Sequence, residues 1–159
     1  MWICQSMDAS PSRAARTKTA RVWDLETGTQ LHSLALGNPA RVVRISATGR
    51  LAFTAAQGQA VTVWDASSGT PSFVLSERNA GVMSAAISAD ERRLLVGYVN
   101  RTVELWDLET HARMALWRTE ARNPWHETGA AVLAVGFGQA PGSYYALAGD
   151  GRLVELRQS

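Results

Sequence analysis

Cysteine is almost missing from this chain: Cys4 is the single one among 159 residues. That excludes an intrachain disulfide framework and any cysteine-rich zinc site. No sign of charge dominates either, because 16 basic residues face 14 acidic ones and leave a formal net charge of +2. Such a balance gives no electrostatic ground for a nucleic acid or a membrane surface as partner. No apolar run comes near the ~20 residues that a membrane-spanning helix needs. The opening residues MWICQSMD have neither the basic head nor the apolar stretch of a secretory signal. A soluble protein of a reducing, cytoplasmic compartment is the expectation.

Catalytic motifs are missing as well. There is no phosphate-cradling glycine loop, no G-x-S-x-G and no H-E-x-x-H. His32, His111 and His126 fall in different segments without ligand spacing, so no metal site is expected. His32, in an outer strand, and His111, in a turn, are expected to be solvated. Cys4 reads as an incidental thiol, and Asn100-Arg101-Thr102 as a chance match to a glycosylation acceptor. No catalytic residue and no cofactor are expected. Lysine is scarce too: Lys18 is the only one, so the cationic surface is almost all arginine.

What the chain has is a foldable 46% of hydrophobic residues, six Trp and 13 Gly, together with an internal repeat. Residues 19–28 read TARVWDLETG, 61–69 read VTVWDASSG and 102–111 read TVELWDLETH. Trp23 and Trp64 are 41 residues apart, and Trp64 and Trp106 are 42 apart. Each is followed by an aspartate: Asp24, Asp65 and Asp107. A fourth, altered copy is GRLVELR, with Arg157 read at the tryptophan position. Within one period four short strands are separated by turn residues. In the second unit these are 41–46, 51–56, 60–65 and 70–76. The third unit repeats them as VMSAAIS, RLLVGY, TVELWD and ARMALW. No stretch carries a sustained helical period with caps. The chain is all-β.

These phased Trp-Asp units, each closing a β-branched strand before a turn, resemble the WD-repeat β-propeller family. The resemblance spans residues 19–157 and implies four-stranded antiparallel blades with each Trp packed between neighbours. Units near 19–36, 41–76, 81–117 and 130–157 give two full and two partial blades, with an inserted loop at 118–129. Residues 1–18 are an unpatterned segment in which WICQS marks the remnant of a strand. The histidine of the family's Gly-His motif is missing from GNPARV (37–42) and RNAGVM (78–83). The internal polar network of a consensus blade is therefore expected to be incomplete. Because so few blades do not close a ring, the chain is expected to be the C-terminal part of a larger propeller. A half-ring that self-associates and a strained small ring are the alternatives.

The resemblance also sorts the loops onto two ends of the blades. On one end Arg41, Arg78, Arg101, Arg118, Arg122 and Arg152 outnumber the acidic residues by two. On the other the acidic residues, Asp24, Asp65 and Asp107 among them, outnumber the basic ones by four. The three aspartates recur as catalytic carboxylates would, but their place after a strand makes them turn caps. Arginine suits an interface through its planar fork, and Trp125, beside Pro124 and His126 in the insertion, reads either as an exposed anchor or as a ring folded back over a blade. The expected function is a non-catalytic scaffold that binds a protein or peptide through Arg41, Arg78, Arg101, Arg122, Trp125 and Arg152. Any catalysis would reside in an upstream domain. The competing expectation is a quinoprotein-like propeller with a small molecule in its channel, for which Arg44 is the only polar inward candidate.

Overall fold

The computed structural model describes residues 2–5 through their backbone, and 18–56, 58, 61–75, 81–119 and 131–158 in full. Every regular element among these residues is a β-strand. They fall into two compact units, Met1–Asn79 and Ala80–Ser159.

The first unit holds two antiparallel sheets. One is three-stranded, β1 (Trp2–Gln5), β2 (Thr19–Asp24) and β3 (Gln30–Ala35), in that spatial order. The other is four-stranded: β4 (Ala40–Ile45), β5 (Leu51–Ala56), β6 (Val61–Asp65) and β7 (Thr70–Leu75). The second unit holds the four-stranded sheet β8 (Val82–Ile87), β9 (Arg93–Tyr98), β10 (Thr102–Asp107) and β11 (Arg113–Arg118). Its three-stranded sheet is β12 (Val132–Phe137), β13 (Ser143–Ala148) and β14 (Leu153–Arg157). Each sheet is a meander, as short connections between alternating segments dictate. WICQ pairs with β2, so the N-terminal segment contributes a strand and the first sheet has three rather than two. Arg118 closes β11, so the insertion starts one residue later than its composition implies.

The repeat extends to register. Trp23, Trp64 and Trp106 each sit at a bulge against the following outer strand. A bulge sharpens local twist and re-aims the side chain beside it. Trp64 stands opposite Ala52, and Trp106 opposite Leu94. In the last sheet the equivalent pair is Leu156 opposite Tyr144, because Arg157 stands opposite Ser143 as Asp107 does opposite Arg93. Leu156, and not Arg157, thus fills the tryptophan place. The hairpin of β13 and β14 is as long as that of β9 and β10; matching the shared letters VEL of 103–105 and 154–156 is what shifts the letter-by-letter alignment by one place.

Both units bury apolar side chains between their two sheets. In the first, Ala20, Val22, Leu34 and Leu36 of the three-stranded side meet Ala52, Ala56 and Ala66, with Trp64 packed at the margin. In the second, Leu95, Val103 and Leu105 meet Val132, Tyr144, Ala146 and Leu156. The pairing rule is the same: the face of one sheet away from its tryptophan receives the tryptophan-side face of the next. Period 2 fixes this, since a one-residue slip would turn every buried side chain to the opposite face.

Candidate interaction surface

The tryptophans meet different polar partners. Trp64 Nε1 donates to Thr54 Oγ1 at 2.8 Å across the strand pair. In the next repeat the acceptor is a charge. Glu104 Oε2 accepts from Trp106 Nε1 at 3.0 Å and from the Tyr98 hydroxyl at 2.8 Å, and Glu104 Oε1 accepts from Arg113 at 3.0 Å. Burial, followed by the bond to Glu104, pushes the Tyr98 hydroxyl far above the usual phenol range. Trp23 Nε1 is buried and has no acceptor among the described residues. The network is therefore local to each sheet and built from different residues each time.

Asp24, Asp65 and Asp107 stand at the opposite strand ends from the arginine turns and organise the loops that follow them. Asp24 accepts from the Glu26 amide at 2.9 Å and the Thr27 hydroxyl at 3.0 Å. Asp65 accepts from the amide and hydroxyl of Ser67 and from the Ser68 amide. Asp107 accepts from the amides of Thr110 and Glu109 at 2.8 and 2.9 Å. These bonds hold all three carboxyls below the usual range: through the Glu26 amide first for Asp24, the Ser67 hydroxyl for Asp65 and the Thr110 amide for Asp107. A carboxylate satisfied by its own turn amides is a loop-building group, not a poised base. The turns end on positive φ: Gly28 at 68°, Gly69 at 70° and, without glycine, His111 at 58°.

His32 departs from expectation. Instead of standing in solvent, it donates from Nε2 to the Ser67 carbonyl at 2.8 Å. Its ring lies so near Gly69 that a Cβ there would sit 2.8 Å from Nδ1. The bare backbone of Gly69 makes room for it. Arg44, the residue considered for a channel, is exposed and its guanidinium returns to the Val43 carbonyl at 2.9 Å.

The arginines of the sequence-level site separate into two groups. Arg78, Arg122 and Trp125 lie outside the described residues, and Arg41 is exposed on β4 of the first unit. Arg101 and Arg152 belong to the second unit, in the turns joining β9 to β10 and β13 to β14. Asn100 and Asp150 cap these turns, each accepting at 3.2 Å from the amide two residues on. Asp150 also pairs with Arg152 Nε at 2.8 Å. Partial desolvation opposes the shift at Asp150, but the Arg152 amide and guanidinium win and lower its carboxyl.

These two turns hold the roots of the insertion. The Arg101 carbonyl accepts from the Thr119 amide at 2.9 Å and from its hydroxyl at 3.3 Å. The Gly149 amide, in the other turn, donates to the Ala131 carbonyl at 2.7 Å. Thr119 and Ala131 are the described residues that flank 120–130. Thr119 is thus held beside Arg101, and Ala131 beside the turn of Arg152. Neither Thr119 nor Ala131 carries a signal in the sequence, because both act through the backbone or a single hydroxyl. Arg101 sits at φ 69°, whereas the equivalent residue of the next turn is Gly151 at 84°. An arginine is kept where the backbone favours glycine, at a cost of about 1–2 kcal/mol.

Among the described residues no group of three or more His, Cys, Asp or Glu is placed to hold a metal ion. Nor is any helix among the described residues long and apolar enough to cross a membrane. No family model matches the chain, and no curated protein matches it. Solved structures do: 1245 chains resemble it. One is the crystal structure of the computationally designed Ika4 protein, 19% identical over 89% of this chain and 81% of that one, with a TM-score of 0.69. At that identity the likeness is one of fold alone. A fold so widely shared fixes no function.

Proposed function

We propose that the protein is a non-catalytic, WD-repeat-type propeller module that binds a protein or peptide partner at the arginine-bearing turns of its second unit. The observation that carries this reading is the anchoring of both ends of the insertion on the turns of Arg101 and Arg152. Arg101, Arg152 and the two residues that flank 120–130 all stand at one end of the sheets of the second unit. Guanidinium forks with an aromatic beside them suit a segment that offers carboxylates and an apolar side chain. The strained backbone of Arg101 adds to this, since strain kept at a surface turn points to use rather than to stability. Repeated blades suit the role because each turn varies without disturbing the sheets below it.

The test is fluorescence anisotropy with labelled peptides that alternate Asp or Glu with aromatic residues. Arg101→Ala, Arg152→Ala and Trp125→Ala together should weaken binding at least tenfold while the far-ultraviolet circular dichroism stays that of a β protein. Equal binding by this variant would defeat the reading. Arg101→Gly sharpens the test: it should weaken binding while raising thermal stability.

A further inference from the structure

We propose that the outer edge of β14 is a docking site for an extended peptide segment of another protein. The segment pairs antiparallel with β14, setting a basic residue opposite Glu155 and, two residues later, a large apolar one opposite Leu153. In the four-stranded sheets β6 and β10 stand third and take β7 and β11 on their outer side. β14 also stands third, and β13 is its only neighbour in the sheet. Ladder parity shows what that edge offers. The Ala148 amide donates to the Arg152 carbonyl at 2.8 Å, so the bonded pairs of this hairpin continue as Ala146 with Val154 and Tyr144 with Leu156. Leu153, Glu155 and Arg157 therefore turn their amides and carbonyls away from β13. The Arg157 carbonyl confirms the direction, because it accepts from Trp117 Nε1 of β11 at 3.1 Å. In β10 the Thr119 amide bonds the Arg101 carbonyl, and the same parity directs Val103 and Leu105 to Trp117 and Ala115 of β11. The groups that hold an outer strand there stand open in β14.

The chemistry of the occupant follows from the side chains along this edge. Ala20, Val61 and Val103 hold the place of Leu153 in the other sheets. They stand opposite Leu34, Leu75 and Trp117 of the outer strands and are at most 4% exposed. Leu153 is 68% exposed, an apolar side chain without that cover. At the next place the other sheets carry Val22, Val63 and Leu105, all buried, and β14 carries Glu155. Its partner is Arg157, at 3.4 Å and with a side chain 79% exposed, an ion pair of little worth in water. An arriving strand is thus asked for a cation at one place and a large apolar group two residues later. Its amides and carbonyls supply affinity by extending the ladder, and the two side chains supply selectivity. The β14 of a second copy fits worse, because the two-fold pairing that uses the whole strand sets Glu155 against Glu155.

The probe is a labelled peptide, Ser-Thr-Arg-Thr-Leu-Thr-Ser, titrated with the whole chain and followed by fluorescence anisotropy. Saturable binding is expected. Glu155→Lys should weaken it about tenfold or more with unchanged circular dichroism, and should in turn prefer the peptide in which Glu replaces Arg. Leu153→Thr should weaken the binding of the original peptide as well. N-methylation of the peptide at Arg or at Leu, whose amides face β14, should abolish binding. N-methylation at the Thr between them, whose amide faces away, should leave it unchanged. Absence of saturable binding, equal binding by Glu155→Lys, or equal loss from methylation at either kind of position would overturn the proposal. So would a wild type that light scattering finds as a dimer, dissociated by Glu155→Lys and not by the peptide, which would give the edge to a second copy. The probe carries no acidic residue, so failure here and failure at the arginine turns are told apart.

Discussion

In the first unit the large ring between the sheets comes from β6, where Trp64 stands opposite Ala52 of β5. In the second unit it comes from β13, where Tyr144 stands opposite Leu156 of β14. The aromatic has crossed the ladder to the neighbouring strand, and the small residue has been replaced by a leucine. Across the gap the second unit is bulkier as well: Trp117 lies with its ring centroid 5.4 Å from that of Tyr144, where the first unit has Leu34. Phe137 meets the same tyrosine edge-on at 5.8 Å. Val132 of the same core packs against the bare backbone of Gly97, where an added Cβ would stand 2.6 Å from both Val132 Cγ1 and Ser84 Oγ. The contrast teaches that the repeat demands filled volume and a partner for the ring's polar atom, not a particular letter. Trp64 uses Thr54, and the Tyr144 hydroxyl accepts from Arg93 at 3.1 Å.

The largest expected effect comes from breaking the second arrangement. Tyr144→Ala empties a fully buried site and should cost about 3–5 kcal/mol in denaturant unfolding. Converting the second unit to the layout of the first is the sharper experiment. Tyr144→Ala combined with Leu156→Trp should cost much less than the sum of the two single changes, because the new ring occupies the volume left by the old. Additive costs would mean that the two layouts are not exchangeable solutions of one packing problem. Gly97→Ala ranks next, at about 1–3 kcal/mol from overpacking against Val132. Val132→Ala in the same chain should recover most of it.

The strand pattern was legible because alternation and turn residues act locally, and the observed ends of β4 to β14 fall within a residue or so of those read from the letters. The phase of the last repeat was not. Deciding between Leu156 and Arg157 depends on the pairing register of β13 and β14, and the letters VEL shared with TVELWD favour the wrong phase. His32 was misread for a related reason: its partners Ser67 and Gly69 lie in another sheet, and no local pattern announces them. The arginine turns were recognisable as loops. Their joining by Thr119 and Ala131 was not, since backbone groups carry no residue code. Glu104 had a fainter signal, standing two residues before Trp106 on the same strand face.

The polar partners of the tryptophans offer a smaller contrast. Glu104→Ala should strand the Trp106 indole and the half-buried Tyr98 hydroxyl at once, for about 1–3 kcal/mol. Thr54→Val removes one acceptor for one indole and should cost about 0.5–1.5 kcal/mol. Equal effects in thermal unfolding would show that the Glu104 cluster acts as isolated bonds. His111→Gly has the opposite sign. At φ 58° a histidine carries a backbone cost that Gly28 and Gly69 avoid in the matching turns. Set against the greater unfolded-state freedom of glycine, the net gain should be about 0.5–1 kcal/mol. Gly28→Ala and Gly69→Ala should both destabilise. Gly69→Ala should do so more, because it also drives a methyl into His32, whereas nothing stands near the Cβ place at Gly28.

The smallest effect belongs to the turn aspartates and is read by pH. Asp24, Asp65 and Asp107 have carboxyls lowered in the folded chain by their own turn amides and hydroxyls. A lowered folded value means that the unfolded chain binds protons first as pH falls. The contribution of each turn is therefore complete above the unfolded value of about 3.9 and fades as pH drops through the folded values. All three are open to solvent, so screening keeps each contribution small, but the three turns should add because they lie in separate sheets. Replacing all three by Asn should make the fall in melting temperature between pH 5 and 3 smaller than in the wild type, with the remainder carried by Asp90 and Asp150. Asp65→Asn alone should remove the largest share, since its carboxylate accepts from Ser67 twice and from Ser68 once. An acid transition unmoved by the triple change would assign the loss of stability to the other lowered carboxyls, Asp90 and Asp150 of the second unit, instead.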